Sequence, residues 1–444
     1  MEKQASSRLK QELGVGDAIL LGLGSMIGTG VFVSIGIAAG VAGPSVILAI
    51  TIAGLLATCN GLNSAQLAAN HAVSGGTYEY GYKYLKPWLG FIAGWMFLLA
   101  KTASAATAAL GFAGYLLNAL GRTGQGLLIP LALVAVATFS GIILAGVRRS
   151  QTANLVIVSI TLLALAIFVL VGLPVAFLRG AETLVPFFGT AEESSLSPLA
   201  ALLQASALMF VAYTGYGRIA TMGEEVKRPR TTIPQAIIAT MGITLLIYVV
   251  VAIAAIGALG APSLVRATWQ QAAPLEIAAR SFDIPGIAPL VGIGAITAML
   301  GVLLNLILGL SRVLLAMARR RDMPSKLARL NRTRTTPTLA VATAGGAIAM
   351  LIFLGDVRTT WSFSAFTVLV YYALTNLAAL RLSETERLYP KWLAWVGLIA
   401  CLFLSLWVER RILIVGIVLI VIGLIWHAIA QGLGARLARR LPRN

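Results

Sequence analysis

The chain has 444 residues, of which 58% are hydrophobic and 11% are charged, and its formal net charge is +18. A soluble domain carries about 25% charged residues. This composition therefore excludes a soluble globular protein and predicts an integral membrane protein. The two cysteines, Cys59 and Cys401, lie in apolar segments and have neither metal-ligand spacing nor the pattern of a disulfide framework.

Twelve segments are long and apolar enough to cross a bilayer, which takes about 20 mostly apolar residues. They lie near 15–41, 44–68, 88–118, 124–146, 152–176, 199–221, 234–259, 286–317, 338–354, 361–380, 391–408 and 411–431. The polar start carries both signs of charge and leads into a segment too long for a signal peptide, so we expect no cleaved leader. The predicted fold class is an all-α membrane protein with about 12 transmembrane helices.

Basic residues are distributed unevenly between the two faces that twelve spans define. With the N-terminus in the cytoplasm, 24 of the 34 basic residues fall in cytoplasmic segments, seven lie outside and three lie within spans. Because loops rich in Lys and Arg stay in the cytoplasm, we expect both termini there, in a multi-pass protein of the cell membrane. The positive charge is explained by orientation in the bilayer, so no nucleic-acid partner is expected.

Glycine and hydroxyl residues interrupt the first and sixth spans. The first contains "GLGSMIGTGVF", residues 22–32, and the sixth contains "AYTGYG", residues 212–217. These spans begin matching blocks of five helices, and five is odd, so the second block is inverted relative to the first. Interrupted helices at matching positions of inverted repeats indicate a transporter's midplane site. Close packing of small residues between helices is the alternative.

A broken helix offers free N–H groups at the start of one half and free carbonyls at the end of the other. The first carry partial positive charge and the second partial negative charge. A carboxylate suits the N–H groups and an ammonium suits the carbonyls. An amino acid carries both groups on one carbon, so the two breaks predict an amino acid as the small-molecule substrate.

Four motifs resemble the amino acid–polyamine–organocation (APC) superfamily. They are "GSMIGTGVF", "SGGTYEYGYKYL", "GEEVKRPRTTIP" and "LGLSRVLLAMARRRDMP", and the resemblance covers roughly residues 12–380. It is nearest to bacterial amino acid permeases and cationic amino acid transporters. It implies the five-plus-five inverted-repeat fold shared with LeuT, with discontinuous helices 1 and 6. The segments would be 1–14 (cytoplasmic), 15–176 and 199–380 (the repeats), 391–431 (two peripheral spans) and 432–444 (a cytoplasmic tail).

The resemblance also implies a substrate site at the two breaks. The carboxylate would meet the Thr29–Gly30 region, and the ammonium would meet carbonyls near Met26, Val211 and Thr214. The substrate side chain would point toward 213–217, with Phe210 and Tyr213 as a candidate lid or as plain packing residues. The complete set of candidate substrate-binding residues is Met26, Ile27, Gly28, Thr29, Gly30, Phe210, Val211, Tyr213, Thr214 and Gly217. Gly217 leaves room for a bulky side chain, so we expect a neutral or broadly specific substrate.

Ion coupling departs from the family pattern. Proton-coupled relatives often carry a lysine in the fifth span, where this chain has Thr161, and many have an acidic residue near the end of the second span, where it has Gln66. Lys101 lies about 20 Å along the third span, near the midplane. An ionisable residue there is a functional hypothesis by default. We expect Lys101 to couple transport to H+ or tune the pocket, with a buried structural role as the alternative.

Two further residues complete the coupling hypotheses. Thr297 is a candidate hydroxyl ligand if Na+ replaces H+ as the coupling ion. Arg218 follows the sixth-span break and is expected to tie helices together, for example through Glu224 or Glu225, rather than to attract an anionic substrate.

Other classes of protein are disfavoured by the same sequence. It has no phosphate-binding G-x-x-x-x-G-K-[ST] motif, no paired carboxylates at membrane depth and no expected metal or other cofactor, so neither an ATP-driven pump nor an enzyme is expected. A channel would show a symmetric filter. A polyamine or organic amine permease and an amino acid exchanger remain alternatives within the class. No obligate protein partner is evident.

Overall fold

The computed structural model describes residues 13–71, 75–122, 125–145, 151–189, 196–220, 226–331, 336–354 and 356–438. Nearly all of these residues are helical, and their only β pairing is an isolated bridge between Leu13 and Val226. Most of the predicted N-terminal segment, the last six residues of the predicted C-terminal tail, and Glu224 and Glu225 lie outside the described residues.

The helices follow the predicted spans closely. In the first half they are α1 Val15–Met26, α2 Thr29–Phe32, α3 Ser34–Ala42, α4 Val46–Asn70, α5 Thr77–Tyr84, α6 Pro87–Ala119, α7 Leu128–Leu144 and α8 Gln151–Thr183. In the second half they are α9 Pro198–Phe210, α10 Gly217–Ala220, α11 Pro229–Leu259, α12 Ala261–Gln271, α13 Pro274–Arg280, α14 Ile287–Arg319, α15 Thr338–Leu354, α16 Val357–Ala379, α17 Lys391–Ser405 and α18 Arg410–Ala438.

Together these helices form the twelve predicted spans. Eight helical stretches of the described chain are long and apolar enough to cross a membrane, and four shorter apolar helices, α1, α7, α15 and α17, supply the rest. The first span consists of α1–α3, and the sixth consists of α9, a 3-10 segment and α10. Spans two to five are α4, α6, α7 and α8; seven to ten are α11, α14, α15 and α16; eleven and twelve are α17 and α18. Helices α5, α12 and α13 lie between spans.

Both predicted interruptions are present, and they differ in form. In the first span α1 ends at Met26, and α2 begins at Thr29 after Gly28 in extended backbone (φ −176°). In the sixth span the chain tightens into a six-residue 3-10 helix, Val211–Tyr216, before α10. The 3-10 helix has three residues per turn and poorer hydrogen bonds than an α-helix. The prediction that helices 1 and 6 are discontinuous is confirmed.

In four of the five pairs of corresponding spans in the two repeats, which lie five apart in the chain, the two members pack against each other. The second span contacts the seventh, the third contacts the eighth and the fourth contacts the ninth, while α1 lies against the 3-10 segment of the sixth. The eleventh and twelfth spans pack on the outside, and α18 has large apolar side chains exposed along much of its length. Such a surface suits a bilayer. The broken spans thus lie inside a ring of continuous helices.

Candidate functional site

A cavity of about 130 Å³ lies where the two broken spans meet the third, eighth and tenth spans. One water needs roughly 10–15 Å³ of such space, so the cavity can admit a small solute. The residues that line it include Ser25, Met26, Thr29, Gly30, Lys101, Val211, Ala212, Thr214, Gly215, Gly217, Arg218, Asn305, Arg312, Trp361 and Tyr372. The two interruptions therefore share one cavity.

The first-span break presents free hydrogen-bonding groups to this cavity. Backbone bonding of the second half starts with the N–H groups of Val31 and Phe32, which both donate to the Gly28 carbonyl. Among the described residues, the N–H groups of Gly28 to Gly30 have no backbone acceptor, as at any helix start. The Thr29 hydroxyl is buried and also has no partner there. These donors can hold a carboxylate.

The carbonyls at the two breaks already accept hydrogen bonds from protein hydroxyls. The Tyr248 hydroxyl donates to the Met26 carbonyl at 2.7 Å and contacts that of Ala212 at 3.2 Å, so one side chain of the seventh span joins both breaks. Tyr372 donates to the Thr214 carbonyl at 3.2 Å. Each carbonyl oxygen has two lone pairs, so a substrate ammonium can be accepted in addition to these bonds.

The close approach of the broken spans depends on glycine. A Cβ atom at Gly215 would lie 2.5 Å from the Ser25 carbonyl oxygen, and one at Gly30 would lie 2.6 Å from the Tyr248 hydroxyl. Real Cβ contacts do not occur at such distances. Glycine at these positions therefore allows the two spans to pack closely and also leaves the cavity between them. Close helix packing and a binding site, the two interpretations of the glycine pattern, apply to the same contact.

The 3-10 geometry of the sixth span decides which of its residues face the cavity. With three residues per turn, positions i and i+3 lie on one face. Two such rows line the cavity: Val211, Thr214 and Gly217, and Ala212, Gly215 and Arg218. The third row, Phe210, Tyr213 and Tyr216, is buried among neighbouring helices.

Four predicted binding residues lie outside the cavity lining, two of them in the sixth span and two in the first. Tyr213 donates to the Ile50 carbonyl at 3.1 Å, and Phe210 packs edge-on against Tyr372. Ile27 is buried, and Gly28 faces the eighth span, where a Cβ would lie 2.6 Å from Val302. Met26, Thr29, Gly30, Val211, Thr214 and Gly217 do line it. Phe210 and Tyr213 pack among neighbouring helices in this structure, and their candidate role as a lid stays a prediction.

Of the coupling candidates, one reaches the cavity. The Lys101 ammonium donates to the Thr214 hydroxyl at 3.0 Å and lines the cavity. Thr161 and Thr297 donate to carbonyls of their own helices, at 2.8 Å to Ile157 and 2.9 Å to Ile293. Threonine in a membrane helix commonly bonds in this way.

Three residues beside the breaks and the cavity were not predicted from the sequence: Tyr248, Asn305 and Trp361. Asn305 is 7% exposed, lines the cavity, and neither its amide nitrogen nor its amide oxygen has a partner among the described residues. An asparagine within an apolar span was the one available signal for it. Tyr248 is the single aromatic residue of the seventh span, and Trp361 lies in a span with several aromatic residues. Their contacts follow from the tertiary structure rather than from a local sequence pattern.

The cavity is closed toward the face opposite the N-terminus. There the Tyr115 hydroxyl donates to the Phe32 carbonyl at 2.8 Å and accepts from the Leu275 N–H at 3.2 Å, which joins the first span, the third span and α13. Trp361 donates to the Leu208 carbonyl at 2.9 Å. Toward the N-terminal face, the lining continues to the exposed Arg312. The cavity lining therefore reaches an exposed residue on this side.

Twelve spans with two interrupted helices that share one cavity are typical of a secondary transporter. The chain belongs to the amino acid permease family, whose model matches residues 17–435. It is 40% identical to an uncharacterized transporter of Mycobacterium tuberculosis, over 89% of this chain and 86% of that protein. It is 26% identical to the branched-chain amino acid permease BcaP of Bacillus subtilis, over 90% and 88%.

A solved structure shows the same fold. It is the crystal structure of MhsT in complex with L-phenylalanine, which matches with a TM-score of 0.62 at 16% identity, over 90% of this chain and 99% of that one. The family and the fold agree with the predicted class: a multi-pass amino acid transporter of the APC superfamily, with a small-molecule substrate and no enzymatic activity.

Proposed function

We propose that the protein is a secondary amino acid transporter that holds its substrate between the breaks of the first and sixth spans. The observation that carries this proposal is the unpartnered, buried Thr29 hydroxyl beside the free N–H groups of the first-span break. The substrate carboxylate binds these donors. The ammonium binds the second lone pairs of the Met26 and Val211 carbonyls, and the side chain extends toward Thr214 and Gly217.

Alternating access supplies the transport cycle. The first and sixth spans rock against a scaffold of the third, fourth, eighth and ninth around the fixed site. In the conformation described, the contacts of Tyr115 and Trp361 close one side. We place the protein in the cell membrane with its termini in the cytoplasm, because this orientation keeps most basic loops on the cytoplasmic side.

We propose H+ as the coupling ion, with Na+ as the alternative, and Lys101 as the coupling residue because it is the coupling candidate that reaches the cavity. In reconstituted vesicles, an inward pH gradient should drive uptake and a Na+ gradient should not. The Lys101→Met variant should bind substrate yet fail to accumulate it. Accumulation driven by Na+, or an unchanged response to pH in the variant, would contradict this part.

The competing substrate class, polyamines, fits this cavity poorly. Lys101, Arg218 and Arg312 all line it, and like charges repel a polycation at these short distances. The direct test is a thermal-shift screen of purified protein against amino acids and polyamines. A ligand at 100 times its Kd adds about 2.7 kcal/mol to the stability of the folded state. Thr29→Val should lose the shift, whereas Thr343→Val, a lipid-facing change, should keep it.

Two results of this thermal-shift screen would count against the proposed amino acid substrate. Stabilisation by polyamines alone would replace the amino acid with an amine. No stabilisation by any of these compounds would contradict the proposed function.

A further inference from the structure

We infer that Asn305 and Lys101 form a side-chain subsite that selects an amino acid with a short acidic side chain, and that Asn305 is its specificity-determining residue. This inference rests on the proposed function, because the α-carboxylate and α-ammonium are taken to bind at the helix breaks. It names the substrate class and departs from the neutral substrate that the room beside Gly217 favoured.

The first observation is the orphaned amide of Asn305. Its side chain is 7% exposed and lines the cavity, yet neither amide atom has a partner among the described residues. An unsatisfied buried polar group is destabilising, and such groups are few in native proteins. A polar ligand in the cavity would satisfy the Asn305 amide.

The position of Asn305 places that ligand. It lies three residues, about 4.5 Å along the helix axis, beyond Val302 on the eighth span. Val302 in turn faces Gly28, at 2.6 Å from the place of a glycine Cβ. Asn305 therefore lies beside the first-span break, displaced toward the N-terminal face. This is the direction in which the cavity continues past the proposed α-carboxylate site.

The second observation is the incomplete bonding of Lys101. Its ammonium has three hydrogens to donate. The Thr214 hydroxyl commits its own hydrogen to the Val211 carbonyl at 2.8 Å and can therefore accept from Lys101 at 3.0 Å. The described part of the chain gives Lys101 no other hydrogen-bond or ion-pair partner, and no carboxylate lies among the described residues lining the cavity.

Charge balance then selects the substrate. The charges of the α-carboxylate and the α-ammonium of an amino acid cancel, and each of these groups binds at a helix break. The Lys101 charge remains, and a buried charge is costly unless it is paired. A side-chain carboxylate would pair with Lys101 and accept a hydrogen bond from the Asn305 amide. An aliphatic side chain would leave both groups unsatisfied, and a cationic one would add repulsion.

A second cation, Arg312, supports entry of an anion. Arg312 follows Asn305 by seven residues on the same helix, about 10 Å farther toward the N-terminal face. It is exposed at the mouth of the cavity. A mouth lined by positive charge raises the local concentration and the association rate of anionic ligands.

The test is a binding series on purified full-length protein with L-aspartate, L-glutamate, L-asparagine, L-glutamine and L-leucine, read by thermal shift and calorimetry. We expect an acidic amino acid to bind at least about tenfold more tightly than its amide, because hydrogen bonds to charged groups are the stronger ones. Lys101→Met should abolish this preference while amide binding persists. Asn305→Leu, similar in shape, should weaken acidic ligands about tenfold and leave L-leucine unaffected or improved.

The outcomes separate the two proposals. Equal or tighter binding of L-asparagine, L-glutamine or L-leucine by the wild type would overturn the acidic subsite and leave the proposed function standing. An acidic preference that survives both variants would also overturn it. No binding of any amino acid would overturn both proposals. Thr343→Val is the matched control for folding, since its hydroxyl faces away from the cavity and bonds within its own helix.

Discussion

At the scale of single residues, the site depends on the absence of a side chain at Gly215. A Cβ atom at Gly215 would lie 2.5 Å from the carbonyl oxygen of Ser25, a backbone atom that cannot rotate away. We expect Gly215→Ala to push the sixth span off the first, to cost about 1–3 kcal/mol of stability, and to lower substrate affinity. The measurements are the melting temperature and the Kd of the best ligand.

The matched control for this change is Gly242→Ala. Gly242 lies inside the seventh span with nothing within 4 Å of its Cβ place. Alanine there should be neutral or slightly stabilising, since it is the better helix former. If the two alanine variants behave alike, the contact between the breaks does not matter.

Some single-residue features of the site could be predicted from the sequence, and others could not. The glycine and hydroxyl pattern identified both breaks, because those residue types are unusual in the middle of a spanning helix. The pattern could not predict the phase of the sixth span, that is, which of its residues face the cavity. That phase follows from a 3-10 turn, which turned Phe210 and Tyr213 away from the cavity and Val211 and Thr214 toward it. Asn305 was missed because its importance lies in the partners it lacks.

At the scale of elements, α13 closes the side opposite the N-terminus. It carries Glu276, which is 2% exposed and adjacent to the Leu275 N–H that bonds Tyr115. Burial raises the pKa of the Glu276 carboxyl, although Arg280 lies 3.3 Å away. The folded form thus holds this proton at pH values where the unfolded form has lost it.

The pH dependence of stability follows from that difference. Because the folded form binds more protons, its stability falls as pH rises from the ordinary carboxyl pKa toward the raised one. We expect the melting temperature of the wild type to fall more steeply as the pH rises above the ordinary carboxyl pKa than that of Glu276→Gln. Glu384→Gln, an exposed change, should leave the wild-type slope intact. Parallel curves for the wild type and Glu276→Gln would refute this role.

A second element-scale contact ties the twelfth span to the loop after the eighth. The fully buried Asp322 carboxylate accepts from the Tyr78 and Tyr82 hydroxyls of α5 at 2.7 and 2.6 Å. Trp426 of α18 donates to the Asp322 carbonyl at 2.8 Å. The motif "RRRDMP" thereby joins three elements through one residue.

Removing this carboxylate should be costly. Hydrogen bonds to charged groups contribute about 1.5–3 kcal/mol each, so we expect Asp322→Ala to lose roughly 3 kcal/mol or more and to unfold at markedly lower denaturant. The comparison is Glu384→Ala, which removes an exposed carboxylate on the same face. A loss no larger than in that variant would show that the tyrosine contacts do not stabilise the fold.

At the scale of the whole molecule, the architecture was the most predictable property. The twelve spans follow from hydropathy, since lipid leaves few other ways to satisfy a backbone. The inverted repeat follows from the matching breaks, and the contacts between spans five apart agree with it. Which face the cavity opens toward could not be predicted, because it depends on the contacts of Tyr115 and Trp361 between distant spans.

One-sided access can be measured with an impermeant maleimide. A Cβ at Gly309 would meet nothing within 4 Å, and Gly309 lines the cavity, so Gly309→Cys should react in inside-out vesicles and be protected in intact cells. Gly126→Cys, on the connection between the third and fourth spans and equally uncrowded, should show the reverse. Equal labelling of Gly309→Cys from both sides would contradict a cavity closed on one face.

The most direct test of the central claim is uptake of labelled amino acids into vesicles that contain the purified protein. We expect saturable uptake by the wild type. Thr29→Val should lower this uptake by about tenfold or more, because a hydrogen bond to a charged carboxylate is worth roughly that ratio. Thr343→Val should leave the uptake unchanged. Uptake that is absent in the wild type, or that proceeds equally well in Thr29→Val, would contradict a substrate held at the break of the first span.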